Sequence, residues 1–430
     1  MDFVTWFREN RLFTYYGFLL LVAFVLMDPN RGQVPMGIRF VYLALSFAPI
    51  VFRSSLLPPT LILFCGLSKY SFMSVLPETD IYYLFITLAV VIYRQGIPHR
   101  SIRYLFYFSY FVIISLFYQE YDEKYILWGL TAILASSLIT DNEDLQTCWM
   151  AFVLLSLFLS VEFLTHINEF AEQYSRQSAD LSRSGWINPN TFGAILSTGG
   201  LMCVLYLMEH LFFERTRLLN ILCITTLVLC FIALVFNASR GAFLSFTISS
   251  SFAILFSKKN IWAKLAFVGA IIIFIIWMLR NNVFELLIAR FQEDNLETGN
   301  SRTEIWAIKL DLFSHLDSYY QYLIGIGRQA CIDLGRYIST HNDFVTALIG
   351  FGFIGFSLFS YLIVYPLLKA NRGTLIAISA TLILIVIECC VLEPFFRGNI
   401  VIIMLYFFVL NYALQIGNLV NEELEEDLIS

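Results

Sequence analysis

Fourteen apolar runs follow one another along the chain, and only two polar stretches longer than a turn separate them. The runs lie at roughly 12–28, 38–52, 56–76, 80–94, 101–118, 124–139, 145–165, 190–211, 218–236, 240–257, 261–279, 343–368, 372–391 and 397–416. A membrane-spanning helix needs about 20 such residues. Inside lipid every backbone N–H and C=O must find its partner within the protein, so runs this continuous have to be helices. The prediction is an all-α polytopic membrane protein with 12–14 transmembrane helices. The runs at 38–52 and 80–94 are short, and one or two of them could be re-entrant or interfacial rather than spanning. Mean hydropathy is +0.72, with 58% hydrophobic and only 14% charged residues; a soluble chain of this length could not bury so much apolar surface. The net charge of −6 is modest and no basic run stands out, so nucleic acid is not an expected partner. Arg8 and Arg11 precede the first run, but no small-residue cleavage site follows it, so no cleavable signal is expected. The eight cysteines sit mostly inside apolar runs; only Cys331 lies in a long polar stretch. They read as buried thiols, not as a disulfide framework.

The connections set the orientation. With a cytoplasmic N-terminus, Arg53, Arg94, Arg100, Arg103, Arg215, Arg217, Lys258, Lys259, Lys264, Lys369 and Arg372 all fall inside, which is the positive-inside pattern. The acidic turn Thr140-Asp141-Asn142-Glu143-Asp144 lands inside as well and runs against it, although acidic residues weigh little in that rule. The long segments 166–189 and 280–342 then emerge outside, as does the turn 237–241. Four regions follow: an N-terminal bundle, 1–165; a short periplasmic segment with four spans, 166–279; a periplasmic loop with short amphipathic helices, 280–342; and the C-terminal spans with an acidic cytoplasmic tail, 343–430. The outer face gathers Arg176, Arg183, Arg240, Arg280, Arg290, Arg302, Arg328 and Arg336. Arginines placed against the insertion bias call for another explanation, and a bound anion is the natural one.

Within the loop, Ser301-Arg302-Thr303-Glu304 reads as a capping box. The helix it starts would present Ile305, Trp306, Ile308, Lys309, Leu312, Phe313 and Leu316 as a broad face against the membrane surface. Arg302 falls in the first turn, where free N–H groups already favour an anion; Arg290 joins it as a substrate-binding candidate. Gly325-Ile326-Gly327 is explained by a turn. His341 stands just before the run that begins at Phe344, so it should lie at a helix N-terminus, a position that disfavours imidazolium and keeps the ring able to accept a proton. Asn342 or Asp343 would supply the N-cap there. Asn190 caps the span after Asn188-Pro189, with Arg183 just upstream, and Arg240 heads its own span. Planar guanidinium forks bind phosphate oxygens in pairs and keep their charge, so Arg183, Arg240 and Arg302 with His341 form a candidate diphosphate site. No second histidine or cysteine stands at ligand spacing from His341, and no Walker loop occurs, so neither a metal nor another cofactor is expected.

Arg183, Gly185 and Asn188-Pro189-Asn190, then Ser239-Arg240-Gly241-Ala242, Arg302 with Trp306, Gly325-Ile326-Gly327, and His341-Asn342 with Gly350, Gly352 and Gly355 together resemble the O-antigen ligase and polymerase superfamily. The resemblance covers roughly 180–360. It departs from the family pattern at Ser339-Thr340, where members often carry a further polar residue or a second histidine. It implies a metal-independent glycosyltransferase in the bacterial inner membrane, with its site on the periplasmic face. His341, Arg183 and Arg240 would be catalytic, and Arg302, Arg290, Asn190 and Asn342 would bind substrate. The implied donor is a polyprenyl-diphosphate-linked glycan, the acceptor another lipid-linked glycan or a lipid A–core, with membrane lipid and a chain-length regulator as further partners. A polymerase is favoured over a ligase. A flippase or permease is the alternative of a different class, and it predicts broken helices in both halves of the chain.

Overall fold

The structure is a computed structural model. It describes residues 11–26, 35–67, 79–94, 99–120, 124–165, 189–213, 215–237, 239–259, 261–280, 302–334 and 340–429. Every apolar run carries a helix: α1 (Arg11–Leu26), α2 (Met36–Phe52), α3 (Leu57–Leu67), α4 (Thr79–Arg94), α5 (His99–Phe117), α6 (Lys124–Ser136), α7 (Asn142–Thr165), α8 (Pro189–Leu207), α9 (Arg217–Phe236), α10 (Arg240–Leu255) and α11 (Ile261–Arg280). Three short helices of the polar arm follow, α12 (Arg302–Ser314), α13 (Tyr319–Ile324) and α14 (Arg328–Asp333), and then α15 (Asp343–Lys369), α16 (Leu375–Val391) and α17 (Ile400–Ile429). Among the described residues four helices are long and apolar enough to cross a membrane, Asn142–Thr165, Asn190–Leu207, Arg217–Phe236 and Asp343–Lys369; shorter apolar stretches include Ile102–Phe117, Arg240–Leu255 and Leu375–Val391. Pro58 and Pro59 stand in the first turn of α3 and Pro189 at the first position of α8, where a helix tolerates proline; Pro49 and Pro366 lie inside α2 and α15.

Burial separates the inner helices from the outer ones. From Ile400 to Ala413, α17 is buried on every side, the mark of a helix at the centre of a bundle. At the periphery, Ile261, Trp262, Leu265, Ile273 and Leu279 of α11, and Phe52, Tyr93 and Phe106 elsewhere, are widely exposed. An apolar surface that extensive suits lipid, not water. Small residues bring the inner helices close together: a Cβ on Gly199 of α8 would lie 2.0 Å from Ser156 Oγ of α7, and one on Gly200 would meet Phe246 of α10. Buried hydroxyls in the helices bond back to their own turns, as Thr60 does to Leu56 O and Ser160 to Ser156 O. The seven described cysteines are free thiols, all but Cys390 buried.

Contacts at the helix ends sort them into two faces. On one, Arg53 pairs with Glu143 and Asp144, Asn142 Nδ2 donates to Phe212 O, and Glu209 pairs with Arg215 and Lys259. The acidic turn that ran against the charge rule therefore has its counter-ion on its own face, in Arg53. The opposite face collects the starts of α8, α10 and α15, the end of α16 and the arm.

One helix differs from its expected form. The run at 343–368 reads as a continuous span, but α15 is broken at Gly352, where φ is 68° and ψ is −172°. The arm fills the break. Ile326 N and Gly327 N donate to Ile349 O and Gly350 O at 3.1 and 2.9 Å, while Tyr118 and Tyr110 hydroxyls donate to Gly325 O and Phe351 O. Gly325 and Gly327 also have positive φ, and a Cβ on Gly325 would sit 2.2 Å from Gly350 O. The glycine pair thus lets two backbones meet, and the carbonyls freed by the break are satisfied by the protein itself. Gly352→Ala would put a Cβ 2.3 Å from Leu323 O in a left-handed conformation. It is expected to cost about 2–3 kcal/mol and to lower Tm in detergent. Gly269→Ala, where nothing lies within 4 Å, should be neutral or stabilising by up to about 1 kcal/mol.

Candidate functional site

The site is built around the start of α15. Asn342 is the N-cap: its Oδ1 accepts from Phe344 N at 2.9 Å and Val345 N at 3.2 Å. That leaves His341 one residue outside the helix, in the left-handed region at φ 51°, where histidine is tolerated better than most side chains. Thr340 holds it from the other side. Its hydroxyl contacts Thr346 Oγ1 at 2.6 Å and accepts from Asn342 N, and its carbonyl accepts from Trp306 Nε1 at 2.6 Å. His341 is therefore clamped between a cap and the arm helix that begins at Arg302.

The helix α12 was expected to lie along the membrane surface with Lys309 on its apolar face. Its inward stripe is Ile305, Lys309 and Phe313, all buried, while Leu310 and Leu312 stay exposed. The Lys309 ammonium donates to the carbonyls of Cys331, Ile332 and Leu334, at the end of α14. A cation at a helix C-terminus satisfies carbonyls that have no partner of their own. Burial pushes the Lys309 ammonium below its ordinary value and the Cys331 thiol up to about 12.

A turn between the last two helices closes the site. Asp343 is fully buried, and its two oxygens accept from Phe395 N and Phe396 N, each at 3.1 Å. Thr346 donates to Glu393, whose φ is 62°. Glu393 Oε2 in turn holds Arg397 Nε at 3.4 Å, and Asn399 N donates to Pro394 O at 2.7 Å. The result is a small polar cleft lined by Asn190, Thr191, His341, Leu392, Pro394, Arg397 and Asn399.

The structure brings several of the expected residues together. Asn190 and His341 line the same cleft. Ser239 Oγ donates to Asn190 Oδ1 at 3.0 Å, and a Cβ on Gly193 would touch Ala242, so the head of α10, with Arg240, abuts the head of α8. Arg302 is near enough for its charge to act on His341. Asn342 has its side-chain oxygen committed to the cap. Arg183 and Arg290, expected in the same site, lie outside the described residues, as does Ser301 of the capping box.

Arg397 and Asn399 were not among the site candidates. The signal was present, since Arg397 is another arginine in an outer connection. Glu388 lies in the body of α16, where Oε1 accepts from Ser245 Oγ at 2.5 Å.

Electrostatics fix the state of the imidazole. His341 is lowered to about 4, by burial first, then by Arg397, then by Arg302. The ring is neutral near pH 7, and neighbouring guanidiniums contribute where the helix terminus alone was expected to act. A neutral imidazole can accept a proton, and guanidiniums beside it can hold an anion.

The fold and the cleft define a polytopic helical membrane protein with a cationic, histidine-bearing site at one face of its helix ends. Residues 225–360 match the family model described as O-antigen ligase. This stretch, about a third of the chain, supports the resemblance to the O-antigen ligase and polymerase superfamily. The matched stretch contains Arg240, Arg302, Gly325-Ile326-Gly327 and His341; Asn190 and the turn with Arg397 lie outside it. No curated protein matches the chain by sequence.

The state of His341 is open to direct measurement. An ordinary histidine of pKa about 6.5 loses most of its neutral form between pH 7.5 and 5.5, and its reaction with diethylpyrocarbonate slows roughly tenfold. His341, lowered to about 4, stays neutral across that interval. Its labelling rate, followed by peptide mass spectrometry, is expected to change by no more than about a tenth, while a histidine peptide in the same reaction slows roughly tenfold.

Proposed function

We propose that this protein is a metal-independent glycosyltransferase of the bacterial inner membrane. It moves a glycan from a polyprenyl diphosphate to a sugar hydroxyl on the periplasmic side. The reading rests above all on the neutral His341 imidazole in a polar cleft next to guanidiniums, on the face where the arm packs. The acceptor oxygen attacks the anomeric carbon and forms the glycosidic bond. The bond from that carbon to the diphosphate oxygen breaks, and its electron pair leaves with the diphosphate. His341 takes the hydroxyl proton, a task worth perhaps 10²- to 10⁴-fold in rate. Arg240 and Arg302, with Arg183 and Arg290 as further proposed ligands, counter the charge that grows on the leaving group, where preorganised cations are most effective. Asn190 and Asn342 orient the substrates and the base. The energy is stored in the donor linkage, so no nucleotide sugar is needed.

The acceptor is proposed to be another lipid-linked glycan, which makes the chain a polymerase. The sequence of the outer loop has slightly more acids than bases and offers little to a phosphate-rich lipid A–core. The test uses purified protein and a lipid-linked repeat unit, with and without lipid A–core, read as a gel ladder. A ladder without the core is expected; product only with the core would make the chain a ligase, and no product in either case would remove the transferase reading. His341→Ala is expected to lower transfer by at least about 100-fold while donor binding persists. Arg240→Ala should weaken both.

A further inference from the structure

Arg397 is the residue that the cleft adds to the site. Its Nε is held by Glu393 at 3.4 Å, and Glu393 is held by Thr346, so the side chain is steered from the first turn of α15. The terminal nitrogens NH1 and NH2 make no hydrogen bond with the described residues. The side chain is about 40% exposed, and it lines the cleft together with Asn190, His341 and Asn399. A guanidinium fixed at Nε with its fork turned to a polar cleft is arranged to receive two oxygens of an anion.

A second observation gives that placement a consequence. A general base works best when its affinity for a proton is close to the ambient level, and His341, lowered to about 4, lies well below it. The charges that face it are Arg397 and Glu393 from the turn, Arg302 from α12 and Asp343 from its own helix. Asp343 spends both oxygens on Phe395 N and Phe396 N, and Glu393 on Thr346 and Arg397. Burial is the first cause that lowers the ring, and Arg397 and then Arg302 are the charges that add to it. An anion bound between them would offset the part of the lowering that comes from the two arginines.

We propose that Arg397 is a further ligand of the donor's diphosphate, and that neutralisation of Arg397 by this anion readies His341 to take the acceptor's proton. The inference rests on the transferase reading above. It makes the site conditional: with the donor absent, the imidazole resists protonation and does little as a base. With the donor bound, the leaving group itself raises the basicity of the residue that must act next. The proton passes from acceptor hydroxyl to imidazole as the glycosidic bond forms and the diphosphate departs with the electron pair of the broken bond.

The experiment uses the full chain in nanodiscs with a lipid-linked repeat unit as donor, and compares wild type with Arg397→Gln, Arg397→Lys and His341→Ala over pH 4–8. For the wild type, the acidic limb of kcat is expected at higher pH than that of kcat/KM, since the first reports the donor complex and the second the free enzyme. Arg397→Gln should raise the donor KM by about tenfold or more and move the acidic limb of kcat/KM upward, because one of the two cations acting on His341 is gone. Arg397→Lys should keep the limb in place and recover part of the KM. As a check independent of turnover, inorganic pyrophosphate should raise the Tm of the wild type and raise that of Arg397→Gln much less. Unchanged KM, pH profile and pyrophosphate response in Arg397→Gln, with His341→Ala inactive, would overturn the inference and leave the transferase reading standing. Full activity in His341→Ala would overturn both.

Discussion

The Asp343 carboxyl reaches across from the first turn of α15 to the backbone of the 393–399 turn, accepting from Phe395 N and Phe396 N. This contact ties together the two parts of the chain that make the cleft. A buried carboxyl is costly unless its oxygens are occupied, and here both are. Below it, the ring of Phe396 stacks on Phe351 at 5.1 Å and meets Tyr125 and Phe359. The turn is thus anchored by an aromatic cluster from the membrane side and by Asp343 at its edge. Its remaining side, with Pro394, Arg397 and Asn399, faces His341 and Asn190. Loss of the Asp343 bridge would unmake the cleft without touching any of the residues that line it.

The break in α15 serves the same end by a different route. A helix interrupted inside the bundle must find partners for the backbone groups it frees. In transporters such interruptions bind ions or substrates. Here Gly325-Ile326-Gly327 fills the place, and Tyr110 and Tyr118 take two more carbonyls. The break is a dock for the arm. It fixes the chain that leads from Trp306, through the Lys309 ammonium and α14, to Thr340 and His341. The flippase reading expected breaks in both halves, and this one is occupied by the protein's own backbone.

Much of this was legible in the sequence because it follows from local rules. Apolar length gave the helices, and alternation of charged connections gave the two faces. The run beginning at Phe344 put His341 at a helix start and made Asn342 the cap. What stayed hidden depends on partners distant in sequence. Nothing in the run 343–368 marks Gly352 as a break, because the residues on both sides are equally apolar and the segment that pairs with it lies at 325–327. Lys309 looked like an interruption of an apolar face until the carbonyls of 331–334 were placed around it. Arg397 joins the site only because Asp343 holds the backbone of its turn and Glu393 holds its Nε.

The central claim is that the heads of α8, α10 and α15 and the 393–399 turn form one anion-binding cleft around a neutral imidazole. The most direct test is a cryo-EM structure of the full chain in nanodiscs with a polyprenyl diphosphate. The account predicts diphosphate density between His341, Arg397 and Asn190, with Arg302 and Arg240 at its edge. Density on the opposite face, beside Arg53 and Glu143, or a diphosphate that leaves His341 and Arg397 untouched, would contradict it.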